Sequence, residues 1–133
     1  MYDRAAMGPA EIPEDVLRFI EIRIDSVPHL ETLLLMWENR DDSWSEAQVC
    51  TRIYITRDQA RSVLTDLVSR GFIEALNEPA TGAYRFNSQG DEGQLLSRVA
   101  AAYRRHLIYL TGLIHAKASR AVLDFARAFE FKK

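Results

Sequence analysis

Two arginines four residues apart, Arg57 and Arg61, followed by Ser62 and Thr65, are the residues of this chain whose types and spacing best suit chemistry. On a helix, positions three or four apart share a face. A guanidinium grips a guanine edge or a phosphate through two parallel hydrogen bonds, and serine and threonine hydroxyls reach either. Arg52, just upstream, is placed to hold a phosphate, and Arg85 is a further cation downstream. The chemistry is recognition of double-stranded DNA rather than the making of bonds. The competing reading is a solvated helix surface in which Asp58 neutralises Arg61.

Other chemistries find little support. Cys50 is the only cysteine, so neither an internal disulfide nor a thiolate metal site is expected. His29, His106 and His115 are too scattered to suggest a metal centre, and no Ser/His/Asp arrangement is visible. Gly90 and Gly93 lack the lysine and the strand-to-helix context of a phosphate-cradling loop. The expectation is a protein that is not an enzyme and needs no cofactor or metal.

The elements that must position these arginines are marked by caps. Ser45 with Gln48, and Thr56 with Gln59, are two capping boxes, each opening a helix. Val49, Cys50 and Ile53 form the inward side of the first helix. Ala60, Val63, Leu64, Leu67 and Val68 form that of the second, which ends at Gly71. Phe72 to Leu76 and Ala83 to Phe86 read as two strands joined by the turn 77–82. Upstream, 13–25 is helical by its acidic first turn, although Ile20, Ile22 and Ile24 also alternate like a strand. Ser26 caps a helix carrying Leu30, Leu33, Leu34 and Trp37 on one face. Trp37, Trp44, Tyr54 and Phe72 are expected to seal the small core. Downstream, a long helix is predicted over 91–117, and Ser119 opens a last one containing Phe125 and Phe129.

Residues 1–12 read as a flexible leader, 13–90 as the main domain and 91–133 as a C-terminal helical arm. No apolar run reaches the roughly 20 residues that span a bilayer. The sequence MYDRAAMGPAE does not resemble a secretion signal, so a cytoplasmic protein with no membrane partner is expected. Net charge is −2 and unevenly spread. Residues 1–46 carry 4 basic and 11 acidic groups, 47–86 carry 5 and 4, and 87–133 carry 8 and 4.

The two capped helices SEAQVCTRIYIT and TRDQARSVLTDLVSRGFIEAL, followed by a hairpin ending in AYRF, resemble the bacterial winged-helix regulators of the MarR and PadR type. The resemblance covers roughly residues 26–118. It implies a mainly α fold with a small two-stranded β wing, that is, a winged helix-turn-helix with a long C-terminal helix. It also implies that the helix matching 57–70 enters the major groove, that the turn matching 77–82 reaches the backbone or minor groove, and that the long helix helps form a dimer. The wing here is atypical, because NEPATG has no basic residue and Glu74 and Glu78 flank it; the C-terminus is atypical too.

The sequence therefore points to a sequence-specific transcriptional regulator acting as a dimer. The DNA-binding set is Arg52, Arg57, Arg61, Ser62, Thr65 and Arg85, and the dimer seam is Val99, Tyr103, Leu107, Leu110 and Ile114. The alternative is a winged-helix adaptor that binds a protein partner and no DNA.

Overall fold

The computed structural model describes residues 11–76, 82–88 and 93–130, with the side chains of 125 and 128–130 outside the description. The expected leader up to residue 10, turn residues 77–81 and the contacts of Phe125 and Phe129 lie outside the described residues. The described chain is mainly α-helical with a small three-stranded sheet. In chain order it has α1 (Glu14–Arg23), α2 (Val27–Glu38), β1 (Trp44–Ser45), α3 (Glu46–Ile53), α4 (Arg57–Ser69), β2 (Ile73–Ala75), β3 (Ala83–Phe86), α5 (Gly93–Arg105) and α6 (Leu107–Glu130). Among the described residues no helix is long and apolar enough to cross a membrane. The chain divides into two compact units, one from Pro28 to Ser97 and the other built from the residues before Pro28 and from Arg98 onward.

The Pro28–Ser97 unit is built around α4. Ala60, Val63, Leu64 and Leu67 recur at helical spacing, and all are buried. Leu30, Leu33, Leu34 and Met36 of α2, Val49 of α3, and Phe72, Ile73 and Phe86 are further core residues of this unit. Burying a side chain of this size contributes roughly 1.5–3 kcal/mol. The sheet order is β1-β3-β2, antiparallel throughout. The sequence pattern gives only two of these strands. β1 is two residues long, pairing Trp44 with Tyr84 and Ser45 with Ala83, too short to show an alternation. Helix, strand, two helices and a two-stranded hairpin, with the first strand closing the sheet, are consistent with a winged-helix-like architecture. Tyr54 corrects one expectation: it is 91% exposed and seals no core.

In the other unit α1 is a helix, which settles the ambiguity of its isoleucines. It packs on α6, with Val16, Phe19 and Ile20 buried. Lys117 donates to the carbonyls of Ile20 and Ile24, placing a cation at the negative end of α1. Arg98 pairs with Asp15, and Arg120 with Glu21 at 3.4 Å. The single long helix expected over 91–117 is interrupted at His106. The second segment then continues through Ser119 to Glu130 without a new cap.

Candidate nucleic-acid interface

The candidate reading helix, α4, is fixed at both ends by local chemistry. At its start Thr56 accepts from the Gln59 amide at 3.1 Å, and the Gln59 side chain accepts from the Thr56 amide at 3.0 Å. Ser45 and Gln48 make the same reciprocal box at α3, at 3.2 and 2.9 Å. Each box satisfies two backbone groups that the helix start leaves unpaired. Between the helices Tyr54 sits in the left-handed region, φ 65°, the one non-glycine residue there among those described. Its amide closes α3 on the Cys50 carbonyl at 3.0 Å. That conformation disfavours L-residues, so the sharp α3–α4 turn holds local strain. At the far end of α4, Gly71 takes φ 83° and donates to Val68, while Phe72 donates to Leu67, both at 3.0 Å. This is the paired-bond helix ending that requires positive φ, and it turns the chain directly into β2.

Arg57, Arg61, Ser62 and Thr65 are all exposed on α4, away from its buried stripe. What they meet there is acidic. Glu46, the first residue of α3, has a side chain only 19% exposed and accepts from Arg61 twice, from Nε at 3.2 Å and from Nη2 at 3.3 Å. Asp58 accepts from the third guanidinium nitrogen, Nη1, at 3.1 Å. Arg57 approaches the same Glu46 carboxylate at 3.5 Å. The hydrogen bonds and charge of Glu46 raise the pKa of Arg61 further, with Asp58 adding to it. The Nε–Nη2 edge of Arg61, one of the forks with which an arginine grips guanine or phosphate, is therefore occupied by a carboxylate. Arg57, with a single long contact and a side chain 58% exposed, keeps the more available donors.

The other expected contacts are also engaged. Arg52 lies over the Trp44 ring, 5.3 Å from its centre, beside an open groove lined by Trp44, Ala47, Gln48, Thr51 and Arg52. Arg85 and Glu74 are directly opposed in the β2–β3 register and pair at 3.3 Å. Of the expected dimer seam, Val99, Tyr103, Leu110 and Ile114 are buried inside the chain itself, and only Leu107 faces outward. Among the described side chains of α6, the large apolar ones that remain exposed are Leu107, Ile108, Val122 and Leu123, at 48, 85, 67 and 56%.

Sequence reasoning identified the cations but missed Glu46, the acid that organises them. Glu46 and Arg61 are fifteen residues apart, and no local pattern joins them. Their meeting follows from the packing of α3 on α4. It also missed the tie of His29 to Asp66, 2.8 Å across α2 and α4, which anchors the side of α4 away from Arg57. No family model, curated protein or solved structure matches this chain.

Proposed function

We propose that this chain is a winged-helix DNA-binding regulator in which Arg57, at the capped start of α4, is the principal base-reading cation. The observation that carries the reading is the exposed face of a twice-anchored α4, where Arg57, Ser62 and Thr65 stand clear of the core. A helix N-terminus that offers an arginine and hydroxyls is the part of a helix-turn-helix that enters a major groove. Arg52 and Arg85 serve as phosphate contacts from α3 and from the hairpin. Salt-dependent binding to genomic fragments tests the reading. Specific complexes that Arg57→Ala weakens support it, and complexes indifferent to that change remove α4 from the interface.

The proposal includes a homodimer, with its contact on the outward stripe of α6 instead of the buried seam. Leu107 and Leu123 stand eight residues either side of His115, and Ile108 and Val122 stand seven. An antiparallel two-fold pairing centred on His115 therefore sets each exposed apolar residue against another. Between them Gly112, His115 and Ser119 share the face and carry no acidic or lysine or arginine charge.

A second reading, a protein-binding adaptor, draws on one specific observation. The Pro28–Ser97 unit has 6 basic and 11 acidic side chains, and acids hold the cations of its candidate face. Such a surface weakens attraction to a polyanion. Failure to bind any duplex at low salt would leave this reading in place of the first.

A further inference from the structure

We infer that Glu46 is a specificity-setting residue, an internal stand-in for phosphate that occupies the anion cradle formed by Arg57 and Arg61. The inference rests on the DNA-binding reading and adds a role for an acidic residue within it. The geometry is that of an arginine–phosphate contact with the carboxylate in the phosphate's place: two parallel N–H donors from Arg61 and a third approach from Arg57. The side chain is four-fifths covered, and both arginines are more than half exposed, so the acid lies beneath and the cations lie outside. Asp58 closes the remaining nitrogen of Arg61. Any phosphate that approaches must compete with a charge already seated.

The consequence is selective. Non-specific binding depends on neutralising phosphates, and a cation held by its own carboxylate releases few counterions from DNA. Base reading by the freer Arg57 is less affected. Glu46 thus lowers affinity for arbitrary sequence more than affinity for the right one. It acts through Arg57 and Arg61 as a positioning residue and need not touch DNA.

Glu46→Gln removes the charge and keeps the shape. The Ser45–Gln48 box that starts α3 does not use this side chain, so the helix start is retained. The probe is a random-sequence duplex of about 20 base pairs, titrated by fluorescence anisotropy from about 50 to 200 mM salt. The expected result is binding about three- to tenfold tighter at low salt, with a log–log salt slope steeper by about 1 to 2, for one or two added phosphate contacts. Arg61→Ala should then weaken binding more in the Glu46→Gln background than in the wild type, a coupling that a merely structural role does not produce. Glu46→Asp, which keeps the charge and shortens the reach, should fall between the two. If Glu46→Gln is poorly folded, Glu46→Asp and Arg61→Ala in the wild-type background carry the test. An Arg61→Ala loss as large as that of Arg57→Ala would overturn the inference. Unchanged affinity and slope in Glu46→Gln, with wild-type binding still dependent on Arg57, would overturn the inference and leave the DNA reading intact. Absence of binding by wild type and variant alike would overturn both.

Discussion

The two compact units differ in where their charge and their exposed apolar surface lie. The Pro28–Ser97 unit carries α4 and the three-stranded sheet and holds a net charge of −5, from 6 basic and 11 acidic residues. The other unit holds 11 basic and 8 acidic residues, net +3, and contains five of the six large apolar side chains exposed on the described surface. The unit with the candidate reading helix is therefore the acidic one, and three of its four candidate cations, Arg57, Arg61 and Arg85, meet its own acids. In the other unit Lys117, Arg98 and Arg120 bind across to α1, and one face of α6 is left without charge. The difference teaches that charge totals alone do not tell which cations are open to a partner. A cation's partner matters as much as its sign.

The largest effect separates the two faces of α6. Leu110 is fully buried in its own unit, so Leu110→Asp should lower unfolding free energy by about 3–5 kcal/mol or more, because an unpaired charge enters an apolar core. Ile108→Asp, on the outward face at 85% exposure, should leave stability within about 0.5 kcal/mol of wild type and should split the proposed dimer. Urea denaturation measures the first effect, and sedimentation equilibrium measures the second. Equal destabilisation by both changes would erase the distinction between faces, and an Ile108→Asp protein that still dimerises would move the contact off this stripe.

This contrast also shows how far the sequence could be read. The apolar positions Leu96, Val99, Tyr103, Leu107, Leu110 and Ile114 read as one seam, since a spacing of three or four marks a helix face, but Leu107 lies on the outward side. Spacing does not say what covers a seam. Here α1, almost a hundred residues earlier in the chain, is packed on α6, while the stripe opposite remains open. Both capping boxes were legible because each is complete within four residues. The helix interruption at His106 was not, since apolar spacing continues on both sides of it. Nor was the two-residue strand β1, whose pairing is specified by β3 some forty residues away. In the candidate interface, residue types and the local Asp58–Arg61 contact were readable from spacing, whereas the Glu46 contacts needed the packing of α3 against α4.

The next effect concerns the acidic unit. Arg57→Ala should weaken a specific complex by about 1–3 kcal/mol if Arg57 makes one base contact. Arg61→Ala should weaken it by less, since Glu46 and Asp58 already use its donors. Anisotropy titrations of both variants on one operator, at one salt concentration, give the order. The reverse order would make Arg61 the reader and Arg57 the support. Below these in size is Thr56→Ala, which removes one half of the capping box at α4. It should reduce stability by about 1 kcal/mol in chemical denaturation, with no change in the denaturant slope. A neutral result would show that burial of Leu64 and Leu67 alone fixes the start of α4.

The smallest effect belongs to the more basic unit and is a pH dependence. Asp15 accepts a hydrogen bond from Arg98, and this contact, assisted by the arginine's charge and by amides at the start of α1, holds the Asp15 pKa below its ordinary value. The folded state therefore favours the ionised carboxylate. The associated stability is fully present above the unfolded-state value of about 4 and is lost as pH falls through the lower folded value. Both side chains are nearly half exposed, so solvent screens the pair and its contribution is small. Asp15→Asn should thus flatten the acid limb of the stability curve below about pH 4 and reduce stability slightly at neutral pH. Thermal melts of wild type and variant between about pH 3 and 7 test this, with added salt diminishing the difference. A wild-type and variant gap that widens as pH falls would mean that Asp15 is stabilised in its neutral form, and that Arg98 is held by something other than this carboxylate.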